Sequence, residues 1–166
     1  LSGKDRELGL PKGDMDRIGI AVGTNEPNVV YVVSETKTEG ELWRSDDAGA
    51  HWRTVNRDPN INFRPFYYSD IRVDPMNENR VYSLSGSLYE SEDGGQTFRT
   101  IGNGVHGDHQ ALWIDPLNPK RILSGSDGGW QVSFEGGKTG EGGNTVAFTQ
   151  FYHINYDMQK PYMLCG

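Results

Sequence analysis

Two histidines and a carboxylate lie within four residues in the segment His106-Gly107-Asp108-His109. Imidazole and carboxylate groups can move protons near neutral pH or coordinate a metal ion, so the segment is a candidate for acid–base chemistry or metal binding. Asp127 follows on a later turn that we expect to reach the same surface. The spacing fits equally well with a structural role in which these side chains hold the segment by hydrogen bonds. We therefore assign no metal and no cofactor to it.

A second candidate is the segment 56–69, which is rich in aromatic and basic residues: Arg57, Phe63, Arg64, Phe66, Tyr67 and Tyr68. Rings on a loop can stack on sugars or pack on a peptide. The alternative is that Phe63 and Phe66 are buried between structural units. In either case we expect Tyr67 or Tyr68 to present a hydroxyl group.

The elements that position these segments are indicated by two short motifs, Ser45 to Trp52 and Ser91 to Phe98. Both read Ser-x-Asp-x-Gly-x-x-aromatic, and they lie 46 residues apart, which indicates a repeat architecture. We name them box 1 and box 2. In each box the Ser and Asp side chains can bond main-chain amides, the Gly can adopt positive φ, and the aromatic ring can anchor the turn. We expect Ser45, Asp47, Gly49 and Trp52, and likewise Ser91, Asp93, Gly95 and Phe98, to be structural rather than catalytic.

The repeat extends upstream of each box as an apolar strand, a polar turn and a second strand. The first unit has strands at 18–22 and 29–33 joined by a turn at 23–28. The second has strands at 70–73 and 80–84 joined by a turn at 74–79, and the third has strands at 112–114 and 121–123 joined by a turn at 115–120. A third, degenerate motif, box 3, spans 133–140, with Glu135 in place of Asp and Gly140 in place of the ring. A fourth unit begins at 151–157. Each unit therefore predicts four strands, A to D, with the box between C and D.

Four-stranded units that repeat every 40 to 50 residues are typical of β-propeller blades, with an irregular β-solenoid as the alternative. We predict an all-β propeller of antiparallel blades: a tail of a preceding blade at 1–16, blades at 17–66, 67–107 and 108–149, and the start of another at 150–166. Closed propellers have about four to eight blades. The chain is therefore expected to be part of a larger propeller, completed by further blades of the same protein or of another chain.

Blade topology predicts where a functional site lies. The A–B and C–D turns share one face, which holds the boxes; the B–C turns and the links between blades share the other. Strand A lines the central channel, so the end of each link surrounds its mouth. The predicted ligand-binding residues on this face are Arg64, Tyr67, Tyr68, His106, His109, Asp127, Gln150 and His153.

The boxes resemble the Asp-box (BNR-type) repeats of sialidases, xyloglucanase-type glycoside hydrolases and sortilin-type receptors. The stretches 42–49, 112–116 and 126–129 most resemble bacterial secreted sortilin-like proteins. Phe63-Arg64-Pro65 only partly matches the sialidase Phe/Tyr-Arg-Ile-Pro motif, and we interpret that match as chance. The resemblance implies a binding domain that is secreted, periplasmic or on the cell surface.

Two functions remain open. The first is a non-catalytic domain that binds a peptide, protein or glycan at the channel face. The second is a glycoside hydrolase, with Asp108 as one catalytic carboxylate and Asp16, Asp70, Asp127 or a residue elsewhere as its partner. The net charge of −7 argues against nucleic acid, and no apolar run predicts membrane insertion.

Overall fold

A computed structural model of the chain describes residues 8–37, 41–67, 70–102, 104, 106–143, 155–156, 159 and 164–165. These residues form three four-stranded antiparallel sheets and one two-stranded sheet. In that part of the chain the helical structure is limited to one 3-10 helix, Pro59–Asn62. No helix there is long and apolar enough to span a bilayer.

Each four-stranded sheet is a meander of consecutive strands and corresponds to one predicted blade. Blade 1 contains β1 (Ile18–Val22), β2 (Val30–Ser34), β3 (Leu42–Ser45) and β4 (Arg53–Asn56). Blade 2 contains β5 (Asp70–Asp74), β6 (Asn77–Leu84), β7 (Leu88–Ser91) and β8 (Arg99–Ile101). Blade 3 contains β9 (His109–Ile114), β10 (Ile122–Ser126), β11 (Gly129–Ser133) and β12 (Glu141–Gly143). The all-β, four-stranded architecture is therefore confirmed.

Two local predictions were wrong. The turn expected at 74–79 is shorter, because β6 already begins at Asn77. Asp74 Oδ1 closes this tight turn by accepting the Met76 amide at 2.8 Å. Strand A of blade 3 begins at His109 rather than at Leu112. His109 therefore belongs to the sheet and not to the preceding link.

The start of a fourth unit is described only in part. β13 (Asn155–Tyr156), within the segment 151–157 expected to begin that unit, pairs antiparallel with β14 (Leu164–Cys165). The rest of that unit lies outside the described residues.

The apolar cores lie between the blades. Blade 1 contributes Tyr31, Val33 and Leu42 to the first core, against Ile71 and Val81 of blade 2. The second core joins Tyr82, Leu84 and Leu88 of blade 2 to Leu112, Ile114 and Ile122 of blade 3. Fully burying one such side chain contributes about 1.5–3 kcal/mol, so packing between the blades stabilises the fold strongly.

The first strands of successive blades are neighbours. β1 contacts β5, and β5 contacts β9. The A–B and C–D turns of blades 1 and 3 also meet, because Ala48 N donates to Asn28 O and Gly136 N to Lys120 O, each at 2.8 Å. In blade 2, Gly94 N donates at the same distance to Asn79 O, near the start of β6. The boxes therefore share a face with the A–B turns, as the topology predicted, and the links between blades start from the other end of the sheets.

Candidate functional site

Boxes 1 and 2 form the same hydrogen-bonded turn. Ser45 Oγ accepts the amides of Asp47 at 3.2 Å and Gly49 at 2.8 Å, and it donates to Asp47 Oδ1 at 2.8 Å. Ser91 Oγ accepts the amides of Asp93 at 3.3 Å and Gly95 at 2.8 Å, and it donates to Asp93 Oδ1 at 2.8 Å. The serine hydroxyl is thus the hub of each turn, with the carboxylate as its partner.

The two box carboxylates also bind the far side of the turn. Asp47 Oδ1 accepts the His51 amide at 2.8 Å, while His51 Nδ1 lies 2.6 Å from Oδ2. This side-chain hydrogen bond from His51, with the amide and Ser45 bonds, lowers the pKa of Asp47 to about 2. Asp93 Oδ1 accepts the amides of Gln96 and Thr97, each at 2.9 Å. Both carboxylates accept hydrogen bonds from donors within their own turn, an arrangement that stabilises the turn and is structural rather than catalytic.

Box 3 keeps only half of this network. Ser133 Oγ accepts the amides of Glu135 at 3.2 Å and Gly137 at 2.9 Å. The Glu135 carboxylate accepts the Thr139 hydroxyl at 2.9 Å. Within the described residues no main-chain amide donates to it. The longer side chain thus replaces the amide contacts with a single side-chain contact.

Boxes 2 and 3 also pack against the preceding blade, which sequence reasoning missed. A Cβ at Gly95 would lie 2.5 Å from Cδ2 of Leu42, and a Cβ at Gly137 would lie 2.6 Å from Cδ1 of Ile101. Gly102 N donates to Gly137 O at 2.9 Å. These glycines are therefore required both by the turn and by close approach of the neighbouring blade.

The link between blades 1 and 2 is anchored through its 3-10 helix. Ile61 is 1% exposed and belongs to the first core, and Ser83 Oγ donates to its carbonyl. Ser85 Oγ accepts the Phe63 amide at 2.9 Å. Blade 2 thus holds the base of the link through two hydroxyl groups.

Beyond Asn62 the link projects aromatic side chains into solvent. Phe63 is 51% exposed, Phe66 74% and Tyr67 41%. Phe66 and Tyr67 meet edge to face with their centroids 6.4 Å apart, and the Arg64 guanidinium lies 5.3 Å from the centre of the Phe63 ring. We name residues 63–67 the aromatic tip. The sequence-based alternative, in which Phe63 and Phe66 are buried between blades, does not describe these exposed rings.

The far end of the aromatic tip is tied to the start of strand A in blade 1. Arg17 NH1 donates to the carbonyl of Tyr67 at 2.7 Å and to that of Phe66 at 3.4 Å. Arg64 has φ of +56°, a left-handed conformation that reverses the chain within the tip. Tyr68 lies outside the described residues.

The segment 106–109 is held between two B–C turns. Asp108 N donates to Gly86 O at 3.2 Å and His109 N to Ser85 O at 3.0 Å, both on blade 2. His106 packs on the β10–β11 turn of its own blade so closely that a Cβ at Gly128 would overlap its side chain. Asp108 has φ of +61°, which supplies the bend between His106 and His109.

The side chains of this segment differ in accessibility. His106 is exposed and Asp108 is partly buried, whereas His109 is only 3% exposed. Burial lowers the pKa of His109, so its imidazole is neutral at pH 7. Its Nδ1 is buried without a hydrogen-bond partner among the described residues. The His109 side chain therefore lies in the interior beneath this surface and not on it.

The remaining sequence candidates divide into three groups. Asp127 is exposed on the β10–β11 turn, next to His106's contact at Gly128. Asp70 forms an ion pair with Arg72, while Asp16 is exposed. Gln150 and His153 lie outside the described residues. Within the described part of the chain, no three His, Cys, Asp or Glu side chains are grouped to hold a metal ion.

One buried carboxyl group on this face was not predicted. Glu41, at the end of the β2–β3 turn, is 8% exposed, and its Oε2 accepts Asn62 Nδ2 at 3.1 Å. Burial raises the pKa of Glu41, and the negative charges of Glu35 and Asp58 raise it further. The hydrogen bond from Asn62 acts in the opposite direction, but the pKa is raised overall. The sequence signal was an acidic residue directly before the apolar pair Leu42-Trp43 at the start of β3.

No protein-family model matches the sequence, and a search of curated proteins finds no match. Among solved structures the chain is similar to a GH74 enzyme from Niastella koreensis, with a TM-score of 0.59 and 19% identity over 75% of this chain and 22% of that one. It is also similar to an ancestral GH74 enzyme, with a TM-score of 0.64 and 17% identity over 95% of this chain and 22% of that one. For YCF48 bound to D1 peptide the TM-score is 0.59 and the identity 14%, over 92% of this chain and 48% of that one.

The chain thus spans about a fifth of the GH74 enzymes and under half of that YCF48 structure. At such identities the likeness shows the fold alone. The chain is an all-β domain of propeller type, and its three blades are consistent with part of a larger propeller.

Proposed function

We propose that the chain is a non-catalytic binding domain that holds a peptide, protein or glycan on the face formed by the links and B–C turns. The observation that carries the proposal is the aromatic tip, which exposes three rings although both of its ends are fixed. Its base is bonded to Ser83 and Ser85, and its far end to Arg17. A loop that is already ordered loses less conformational entropy when a ligand binds.

The chemistry of the tip suits ligands with apolar and hydrogen-bonding groups side by side. Phe66, with 74% of its surface exposed, offers a ring face to the C–H groups of a sugar or to a peptide side chain. Arg64 adds a cation that can bind a carboxylate or a carbonyl oxygen. Support for a peptide comes from the similarity to YCF48, which has been solved with D1 peptide bound.

The second candidate function is glycoside hydrolysis, and it is favoured by the similarity to two GH74 enzymes. An inverting mechanism needs two carboxyl groups about 6.5–9.5 Å apart across an open cleft. Asp108, beside the exposed turn that carries Asp127, is the residue on which this alternative depends.

The binding proposal is tested with two probes, soluble xyloglucan and an immobilised random peptide library. We expect at least one probe to bind, and Phe66→Ala and Tyr67→Ala each to weaken that binding about tenfold, because stacked rings contribute most of the contact energy. Phe134→Ala is the matched control, since Phe134 is 61% exposed but lies within box 3 on the other face. Equal binding by all three variants and the wild type would contradict the proposal.

The hydrolase alternative is tested on the same xyloglucan by release of reducing ends. Turnover by the wild-type chain that disappears in Asp108→Asn, while binding persists, would replace the binding function by an enzymatic one. We expect no turnover that depends on Asp108.

A further inference from the structure

We propose that Glu41 is a positioning residue that fixes the aromatic tip to blade 1 through its contact with Asn62, an inference that rests on the proposed binding function. Glu41 lies on the β2–β3 turn, and Asn62 is the last residue of the 3-10 helix, directly before the tip. The two side chains join a blade to a link that the sequence separates by 21 residues.

The hydrogen bond between Glu41 and Asn62 is buried and rigidly held. Glu41 is 8% exposed and Asn62 3%, so the bond between Oε2 and Nδ2, 3.1 Å long, is shielded from water. A buried hydrogen bond to a charged or polar partner contributes more than an exposed one, and losing one partner is costly. The main chain at Glu41 is itself fixed, since its amide donates to Asn56 O at 3.0 Å and its carbonyl accepts Ser34 N at 3.1 Å.

Glu41 completes a two-sided clamp on the base of the tip. On the blade 2 side, Ser83 binds the carbonyl of Ile61 and Ser85 binds the amide of Phe63. On the blade 1 side, Glu41 binds the side chain of the intervening residue, Asn62. Three consecutive residues are thus held alternately by the two blades. Movement of either blade would be transmitted to the tip.

The blade 1 half of the clamp contains a titratable group, whereas the blade 2 half consists of hydroxyl groups. The charged groups that act on Glu41 are Glu35 on the β2–β3 turn and Asp58 on the link, and both oppose its ionisation. Its folded-state pKa is raised, so the stability linked to Glu41 is present below its unfolded pKa and is lost as the pH rises through the folded value. A neutral side chain of the same shape, in Glu41→Gln, keeps the acceptor and removes this dependence.

The first experiment measures hydrogen exchange of residues 59–67 in the ligand-free protein at pH 7. We expect Glu41→Ala to speed exchange there about tenfold, because the acceptor for Asn62 is lost, and Glu41→Gln to retain wild-type protection. Lys37→Ala, which removes an exposed charged side chain from the same turn, is the control and should leave the protection unchanged. Unchanged exchange in Glu41→Ala would overturn the proposal, whether or not any ligand is known.

The second experiment compares the unfolding midpoints of wild type and Glu41→Gln between pH 4 and pH 8. The wild type should lose stability relative to the variant as the pH rises, and a constant difference would contradict a clamp made by a buried ionisable group. Binding assays with xyloglucan and the peptide library then distinguish the positioning role of Glu41 from the proposed binding function. If Glu41→Ala loosens the tip but no tip variant changes binding of either probe, the positioning role stands and the proposed binding function fails.

Discussion

Box 2 and box 3 occupy equivalent places in neighbouring blades and share a backbone shape, but they are pinned differently. Both have two successive residues with positive φ, Gly94 and Gly95 in one and Gly136 and Gly137 in the other. Both use a serine hydroxyl to bind two amides. Only box 2 adds a carboxylate that binds two more. The turn shape therefore depends on the serine and the glycines, and the carboxylate reinforces it.

The largest effect should come from the glycine that packs on the preceding blade. Gly95→Ala should lower the free energy of unfolding by about 3 kcal/mol, since φ of +88° disfavours a side chain and Cβ would overlap the fully buried Leu42. Gly136→Ala, at φ of +66° but with no atom within 4 Å of its Cβ, should cost only about 1 kcal/mol. Urea unfolding measures both, and equal losses would show that blade packing does not constrain the boxes.

The next effect concerns the serines that the two boxes share. Ser91→Ala and Ser133→Ala should each destabilise the fold by about 2 kcal/mol, because each removes an acceptor from two amides in a buried turn. Ser87→Ala is the control, since its hydroxyl makes no hydrogen bond among the described residues. A loss in Ser133→Ala well below that in Ser91→Ala would mean that box 3 is held by its neighbours and not by its own serine.

The smallest effect should separate the two carboxylates. Asp93→Asn should cost about 0.5–1 kcal/mol at pH 7, because exposed, charge-assisted bonds contribute little, and Glu135→Gln should cost less still. Burial alone would raise the pKa of Asp93, but the bonds from Thr97, Ser91 and Gln96 lower it overall.

The stability that Asp93 provides is thus present above the unfolded pKa near 3.8 and lost as the pH falls through the lower folded value. Acid unfolding of Asp93→Asn should lack this loss. An acid profile identical to that of the wild type would contradict the assignment.

The period of the boxes and the alternation of apolar residues predict the four-stranded units, because both follow from local chemistry, but they do not predict every strand end. The A–B turn of blade 2 was misjudged since polar residues at Asn77 and Asn79 suggested a loop, whereas they continue β6. Burial within the links was not predictable from local pattern. His109 and Glu41 are polar residues that become buried only when segments distant in sequence pack together.

The same limit applies to backbone conformation at the site. Asp108 has positive φ, and its amide donates to Gly86 O of the previous blade, a contact that no local motif signals. The sequence thus predicts a candidate face, while the packing between blades decides which of its side chains are accessible.

The clamped aromatic tip has a consequence for how such a domain could be changed. Its entry is fixed at Phe63 by Ser85, and its exit is fixed at Tyr67 by Arg17 through a main-chain carbonyl. Neither anchor uses the side chains of the five tip residues. The exposed side chain of Phe66 can therefore be exchanged, by evolution or by grafting, without removing either anchor, whereas Phe63 packs against Gly86 of blade 2 and Arg64 has positive φ.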